Sequence, residues 1–300
     1  MARRPEPAEG RPTVKTAIVT ASWDQDFERC KLLCETMDKY VAGFTKHYIL
    51  VDSKDVALFR RIETPRRIII DERDLLPSWL HAFWDPTYLW RRRIWLSFKT
   101  KPLRGWHVQQ LRRIALAGVV DEDGFLYTDS DTAFLRPFDC NSLWHGDKLR
   151  LFVRPDALIQ PKWPEHPVWS ANAAKLLNIK NGKSALNDYV GQLVSWRRDS
   201  VLSMCERIEA VSGLHWVAAL GNIRRFSECF IYGRYVDDVL HDAGHYTDTH
   251  DLCRMQWFAP PPSEEEFRMF IADMEPHQVA IGMQSFLGLS VDDIRRIIGA

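Results

Sequence analysis

The 300 residues predict an α/β protein with a mainly parallel central sheet. Three observations carry that expectation. Apolar, β-rich runs alternate with helix-period segments through the first hundred residues, and two such runs end in aspartate, Asp52 and Asp129. The composition, 46% hydrophobic and 27% charged, supports a full core.

Val14 to Ala21 is the first β-rich run. Asp24 or Asp26 is placed to cap a helix in which Phe27, Cys30, Cys34, Met37 and Val41 recur with helical period, and Gly43 is placed to end it. His47 to Val51 is a second strand closed by Asp52, and a short helix at Val56 to Arg61 leads to a third strand, Arg67 to Ile70. This order implies parallel pairing, with ligands gathering at the carboxyl ends of the strands.

From Leu75 to Trp106 the pattern gives way to tryptophan and arginine, including Trp79, Trp84, Trp90, Arg91, Arg92, Arg93 and Trp95. Such residues suit stacking on bases or sugars, but the area of tryptophan favours burial at a core edge. Val108 to Ala117 reads as a helix, with Gln109 and Arg113 sharing a face apart from its apolar stripe. A turn at Asp121 to Gly124 then leads to a buried strand, Phe125 to Thr128.

The second half is more mixed. Leu149 to Val153 and Val279 to Ser285 read as strands and Asp199 to Gly213 as a helix, while Ser263 with Glu266 and Ser290 with Asp293 open two more helices. The short run Ala259-Pro260-Pro261-Pro262 is too brief to separate domains, so residues 14–300 are expected to form one domain behind a disordered basic tail, 1–13.

The 40 basic and 40 acidic residues cancel, so no global field draws in nucleic acid. No apolar stretch approaches the roughly 20 residues of a membrane span. The tail lacks the apolar region of a signal peptide, which implies a cytoplasmic protein with at most weak peripheral membrane contact. None of the six cysteines forms a Cys-x-x-Cys pair, and Cys30 and Cys34 lie one helical turn apart, as packing residues do.

Strand side chains alternate, so Asp129 and Asp131 point the same way and Ser130 the other. Two carboxylates in one place call for a cation, and hard oxygen donors suit Mg²⁺ or Mn²⁺ holding a diphosphate. Aspartates are also ordinary turn formers at such junctions. The surrounding residues, Phe125-Leu126-Tyr127 before the pair and Phe134-Leu135-Arg136-Pro137-Phe138 after it, resemble the setting of the Asp-x-Asp motif in GT-A glycosyltransferases. Within that superfamily the chain is most similar to a bacterial group of uncharacterised function, the DUF6492 type. The pieces that carry this likeness are Thr20-Ala21-Ser22, Gly105 to Leu111, the Asp-x-Asp segment, Phe226 to Cys229 with Tyr232-Gly233, and Gln284-Ser285.

The resemblance implies a GT-A-like, Rossmann-type nucleotide-sugar-binding fold, with a nucleotide and metal half at 14–140 and an acceptor half at 141–300. It also implies transfer of a sugar from a nucleotide diphosphate, UDP favoured, to a hydroxyl on a glycan or lipid-linked acceptor. Thr20, Ala21, Ser22 and Asp52 would meet the nucleotide, and Asp129 and Asp131 the metal. His250, from a group with His241, His245, Asp248 and Asp251, would add a further ligand. Gln109, Arg113 and Ser130 would face the donor sugar and diphosphate, though Gln109 and Arg113 equally fit a solvated helix face.

Glu228 is the candidate general base, because aromatic neighbours would raise its pKa; an ion pair with Arg224 or Arg225 is the structural alternative. Tyr189, Trp196 and Tyr232 are candidates for the acceptor side, with burial in the core as the other reading. A phosphohydrolase of the haloacid dehalogenase type also places Asp-x-Asp after an apolar strand, but its pattern wants threonine or valine where Ala133 stands. A sugar nucleotidyltransferase would open with a glycine-rich loop, which Thr20-Ala21-Ser22-Trp23 lacks. An inactive sugar-binding module remains as a non-enzymatic reading.

Overall fold

In the computed structural model, residues 14–256, 262–284 and 290–299 are described. The tail 1–13, residues 259–261 of the proline run, and Ser285 lie outside them. In chain order the elements that position the site are strand β1 (Thr16–Ala21), helix α1 (Phe27–Tyr40), β2 (His47–Val51), β3 (Arg67–Asp71), α2 (Gly105–Ala115), β4 (Gly124–Tyr127) and β5 (Thr132–Phe134). There follow β6 (Lys148–Phe152), β7 (Val194–Arg197), α3 (Arg198–Ser212), α4 (Glu228–Tyr235), β8 (His245–Asp248), β9 (Cys253–Gln256) and β10 (Ala280–Met283).

The central sheet has the order β7-β4-β1-β2-β3. All its pairs are parallel except β7, which runs antiparallel along β4 at the edge. Every residue of β1 and β4 is buried, as expected of inner strands covered on both faces. The rest of the chain adds smaller sheets: β6 pairs in parallel with β8, and β10 lies between β9, parallel to it, and β5, antiparallel to it. The architecture is thus mixed α/β with one parallel-rich sheet.

Helix α1 buries Phe27, Cys30, Leu33, Cys34 and Met37, the stripe its spacing demands. Its expected side-chain cap does not form. Asp26 instead accepts the indole N–H of Trp23 at 2.7 Å, and a 3₁₀ turn over Asp24–Asp26 leads into the helix. Nor does Gly43 end the helix, since Val41 and Ala42 leave it first to pair with Phe138 and Asp139. Gly43 serves the following turn at φ +73°, where a β-carbon would strike the side chains of Asp139 and Asn141. The box at Ser263 and Glu266 forms in full; at Ser290 only the serine hydroxyl caps, taking Asp293 N–H at 3.1 Å.

Residues 81–104 depart furthest from expectation. His81–Trp84, Arg93–Leu96 and Leu103–Arg104 form an antiparallel three-stranded ribbon. Only Trp95 of its tryptophans is buried; the core-edge reading holds for Trp95 and for Trp79 before the ribbon, and fails for Trp84 and Trp90, which are 45% and 65% exposed. At the tip Leu89 and Trp90 adopt left-handed φ values of 52° and 61°. That conformation carries a penalty of about 1–2 kcal/mol for each side-chain-bearing residue.

Gly233 lies in α4 where a β-carbon would fall against the ring of Tyr189. Gly233→Ala is therefore expected to lower stability by about 1–3 kcal/mol despite alanine's better helix propensity. An unchanged urea midpoint would show that the ring can move aside. No helix among the described residues is long and apolar enough to cross a membrane.

Candidate active site

Three segments converge at the carboxyl end of β4: the turn Asp129-Ser130-Asp131, the last turn of α2, and the first residue of α4. Helix α2 buries Gln110, Arg112 and Arg113 beside its apolar residues Val108, Leu111 and Ile114. The two arginines go to different acids. Arg112 pairs with buried Glu72. Arg113 lies between Asp129, which it contacts through Nη2, and Glu228, which it meets through Nη1 at 3.0 Å. Burial opposes the charge of Arg113, but Asp129 and Glu228 together raise its pKa above the ordinary value. Arg113 is therefore no part of a solvated helix face.

Glu228 opens α4, and its side chain is only 7% exposed. Its backbone N–H donates to Gln110 Oε1 at 2.9 Å, which supplies an acceptor for a donor that a helix start leaves unpaired. Burial pushes its carboxyl above the usual range, while Arg113 works in the opposite direction. The partner of Glu228 is Arg113, across 115 residues of chain, rather than the neighbouring Arg224 or Arg225.

Asp131 is held from two sides. Its carbonyl accepts Met283 N–H at 3.0 Å, which ties the turn to β10, and its carboxyl takes a 3.1 Å hydrogen bond from Gln192, which also reaches Thr132. Burial, then the charges of Asp129 and Asp26, push the Asp131 carboxyl up to about 8, against the opposing influence of Arg29. Asp129 and Asp131 are both half-buried, with 38% of the Asp129 side chain exposed. Ser130 between them is buried.

This donor set fits a hard divalent cation. Burial first and the charge of Asp129 next hinder ionisation of Asp131, and a cation held by the two carboxylates would offset both. Among the described residues no group of three or more His, Cys, Asp or Glu side chains is assembled for a metal. A cation would accordingly draw its remaining ligands from substrate phosphate and water, the usual arrangement for Mg²⁺. His250 is not gathered to the pair: 63% of its side chain is exposed, its Nδ1 shares a 2.7 Å hydrogen bond with Asp248, and its ring meets His277 edge-on. His245, from the same group, is buried against Tyr232 at 2.7 Å.

The remaining sequence candidates divide. Ala21 ends β1 and Ser22 follows it, but both are buried, and Ser22 N–H is taken by Leu50 O at 3.0 Å. Thr20 is wholly buried with its hydroxyl 3.0 Å from His47 Nε2, so its side chain is not offered to a ligand. Asp52 ends β2, buried and 3.4 Å from Arg93. Gln109 is half-buried, and the neighbouring Gln110 makes the contact to Glu228.

Tyr189, Trp196 and Tyr232 are core residues, which corrects their reading as an acceptor platform. Trp196 packs between Tyr127 and Tyr232 at ring distances of 4.4 and 4.9 Å. The hydroxyl of Tyr189 donates to Asp237 at 2.5 Å, and that of Tyr232 accepts Arg197 N–H at 2.7 Å. A cleft of about 650 Å³ opens beyond the ends of β2 and β3, lined by Ser53, Val56, Arg60, Ile69, Asp71 and Arg73. It adjoins Asp52 in sequence but contains none of the candidates.

Gln110, Arg112 and Gln192 were missed by sequence reasoning. The helical phase of α2 offered a signal for Gln110, whereas nothing local marks Gln192, 61 residues from Asp131. The separated pieces Gly105–Leu111 and Phe226–Cys229 are now neighbours, with Trp106 and His107 packed on Phe226 and Gln110 on Glu228. No curated protein matches the chain. Residues 15–273 match DUF6492, described as a family of unknown function, and the chain belongs to that family.

Proposed function

We propose that the chain is a metal-dependent glycosyltransferase that moves a sugar from a nucleotide diphosphate, UDP first among the candidates, to a hydroxyl acceptor. The observation that carries this reading is the bridge Asp129–Arg113–Glu228 beside a second carboxyl, Asp131, at the carboxyl end of a parallel strand. Open α/β sheets bind ligands at such ends, and a charged cluster there has both signs needed for a diphosphate and its cation.

Asp129 and Asp131 would hold Mg²⁺ or Mn²⁺, whose charge stabilises the diphosphate as it leaves. Arg113 would then turn part of its guanidinium from Asp129 to a phosphate oxygen. Glu228, its pKa raised by burial, would accept the proton of the acceptor hydroxyl. The acceptor oxygen forms the new bond to the sugar's anomeric carbon, and the pair of electrons in the broken bond departs with the diphosphate. One displacement of this kind inverts the anomeric centre.

The test is a screen for turnover of UDP-, GDP- and ADP-sugars with Mn²⁺, run beside a phosphomonoester with Mg²⁺. Sugar-nucleotide turnover supports the proposal. Rapid phosphate release with no sugar-nucleotide turnover would favour a phosphohydrolase, and absence of nucleotide and metal binding by calorimetry would favour a binding module. Glu228→Gln should lower kcat about 100-fold with little change in acceptor KM. Near-normal kcat would remove the base role.

A further inference from the structure

We propose that the ribbon spanning residues 81–104 is a docking surface for an anionic lipid bilayer. Its pairing register gives it two faces. His81 faces Leu96, and Phe83 faces Ile94, itself opposite Arg104, so these side chains share one face; Ala82, Trp84, Arg93, Trp95 and Leu103 share the other, on which Trp84, at the last pair before the tip, is still 45% exposed. Trp95 and Leu103 are buried against the body of the protein, while Phe83 and Leu96 are exposed. The tip adds Tyr88, Leu89 and Trp90, and the next loop adds Phe98, whose side chain is fully exposed. A polar solvent-facing side would suffice for a ribbon packed on one face only.

The charge on this surface has one sign. Arg91, Arg92, Lys99, Lys101 and Arg104 are exposed, whereas the only acid between residues 81 and 106 is Asp85, which is buried. Asp85 is committed within the ribbon, accepting Thr87 N–H at 2.9 Å through one oxygen and lying 3.5 Å from Arg104 through the other, which leaves Arg91, Arg92, Lys99 and Lys101 without an acid among these residues. Across the whole chain acids and bases balance, so this local excess is a departure from its surroundings. Three of the cations lie over aromatic rings, Arg104 at 4.4 Å and Arg92 at 5.0 Å from the centre of Tyr88 and Lys99 at 5.1 Å from that of Trp79.

Aromatic rings, aliphatic side chains and arginines exposed together on the ribbon, its tip and the next loop match the layered chemistry of a bilayer surface. Rings settle at headgroup level, aliphatic groups below it, and cations against lipid phosphate. Leu89 and Trp90 strengthen the case because each is held at positive φ with most of its surface in water. Glycine or asparagine would occupy those positions with less strain, so contact outside the folded chain gives the large side chains a use. Single-stranded nucleic acid would also meet the rings and arginines, but it gives exposed Leu89 and Leu96 nothing to bury against. A second copy docked by the same face would set like charges together. The proposal is independent of sugar transfer.

Full-length protein should be mixed with sedimentable phosphatidylcholine vesicles, with and without about 30% phosphatidylglycerol, near physiological salt. The expected result is co-sedimentation with the anionic vesicles only, with a blue shift of tryptophan emission. Trp90→Ser with Phe98→Ser, and separately Arg91→Gln with Arg92→Gln, should each reduce partitioning at least about tenfold while leaving circular dichroism and melting unchanged. Failure of the wild type to sediment, or unchanged partitioning of both variants, would overturn the proposal. So would ribbon-dependent binding of an oligodeoxythymidine, or ribbon-dependent dimerisation, in protein that ignores the vesicles.

Discussion

Asp131→Ala is expected to reduce metal-dependent turnover of the sugar donor by about a thousandfold or more, because the cation's stabilisation of leaving charge amounts to several kcal/mol. Mn²⁺ affinity by calorimetry should fall in parallel, since the proposed site draws on two protein carboxylates among the described residues. The same residue sets a pH test that needs no substrate. Its folded-state pKa lies at about 8 against an ordinary 3.8, so the folded protein holds a proton that the unfolded chain has released. Stability from this group is present below the lower value and is lost as pH rises through the upper one. The metal-free protein should therefore lose stability over that interval relative to Asp131→Asn, and Mn²⁺ should restore it by favouring the anion. Parallel urea midpoints for wild type and variant from pH 5 to 8 would show that burial and the charge of Asp129 do not hold a proton on Asp131.

Arg113→Met should be the most destabilising substitution in the site, by about 3–5 kcal/mol. The reason is geometric: one guanidinium compensates Glu228, 7% exposed, and also meets Asp129, so its loss leaves a buried acid without a partner. Uptake of a proton by Glu228 would relieve part of that penalty, so Glu228→Gln added to Arg113→Met should recover stability. A double-mutant cycle should give a coupling of at least about 1 kcal/mol. Strict additivity would mean that the pair makes no independent contribution. Donor turnover by Arg113→Met should also fall, even under conditions where the variant is fully folded.

The sequence by itself determined the parallel framework and the location of the acidic turn. Apolar runs of strand length and the stripe of α1 are local patterns with one stable solution, and the strand ending at Tyr127 necessarily delivers Asp129 and Asp131 at its carboxyl end. Local patterning also failed where tertiary packing decided the outcome. Tyr189, Trp196 and Tyr232 have the chemistry of a sugar platform, yet the arrangement of β7 and α4 seals them into the core. The tryptophans of the ribbon have the chemistry of a core edge, yet only Trp95 reaches the core: Trp84 shares its face but sits at the last pair before the tip, and Trp90 lies in the tip itself.

The electrostatics of the site were decided by tertiary structure alone. Charge interactions depend on distance and burial, neither of which sequence spacing measures for partners separated by a hundred residues. Thus Arg113 could be recognised on its helix, but its place between Asp129 and Glu228 follows only from α2 and α4 meeting beneath the carboxyl end of β4. Gln192 is the same lesson at another contact, because a neutral amide in a loop has no pattern until the fold brings it to Asp131.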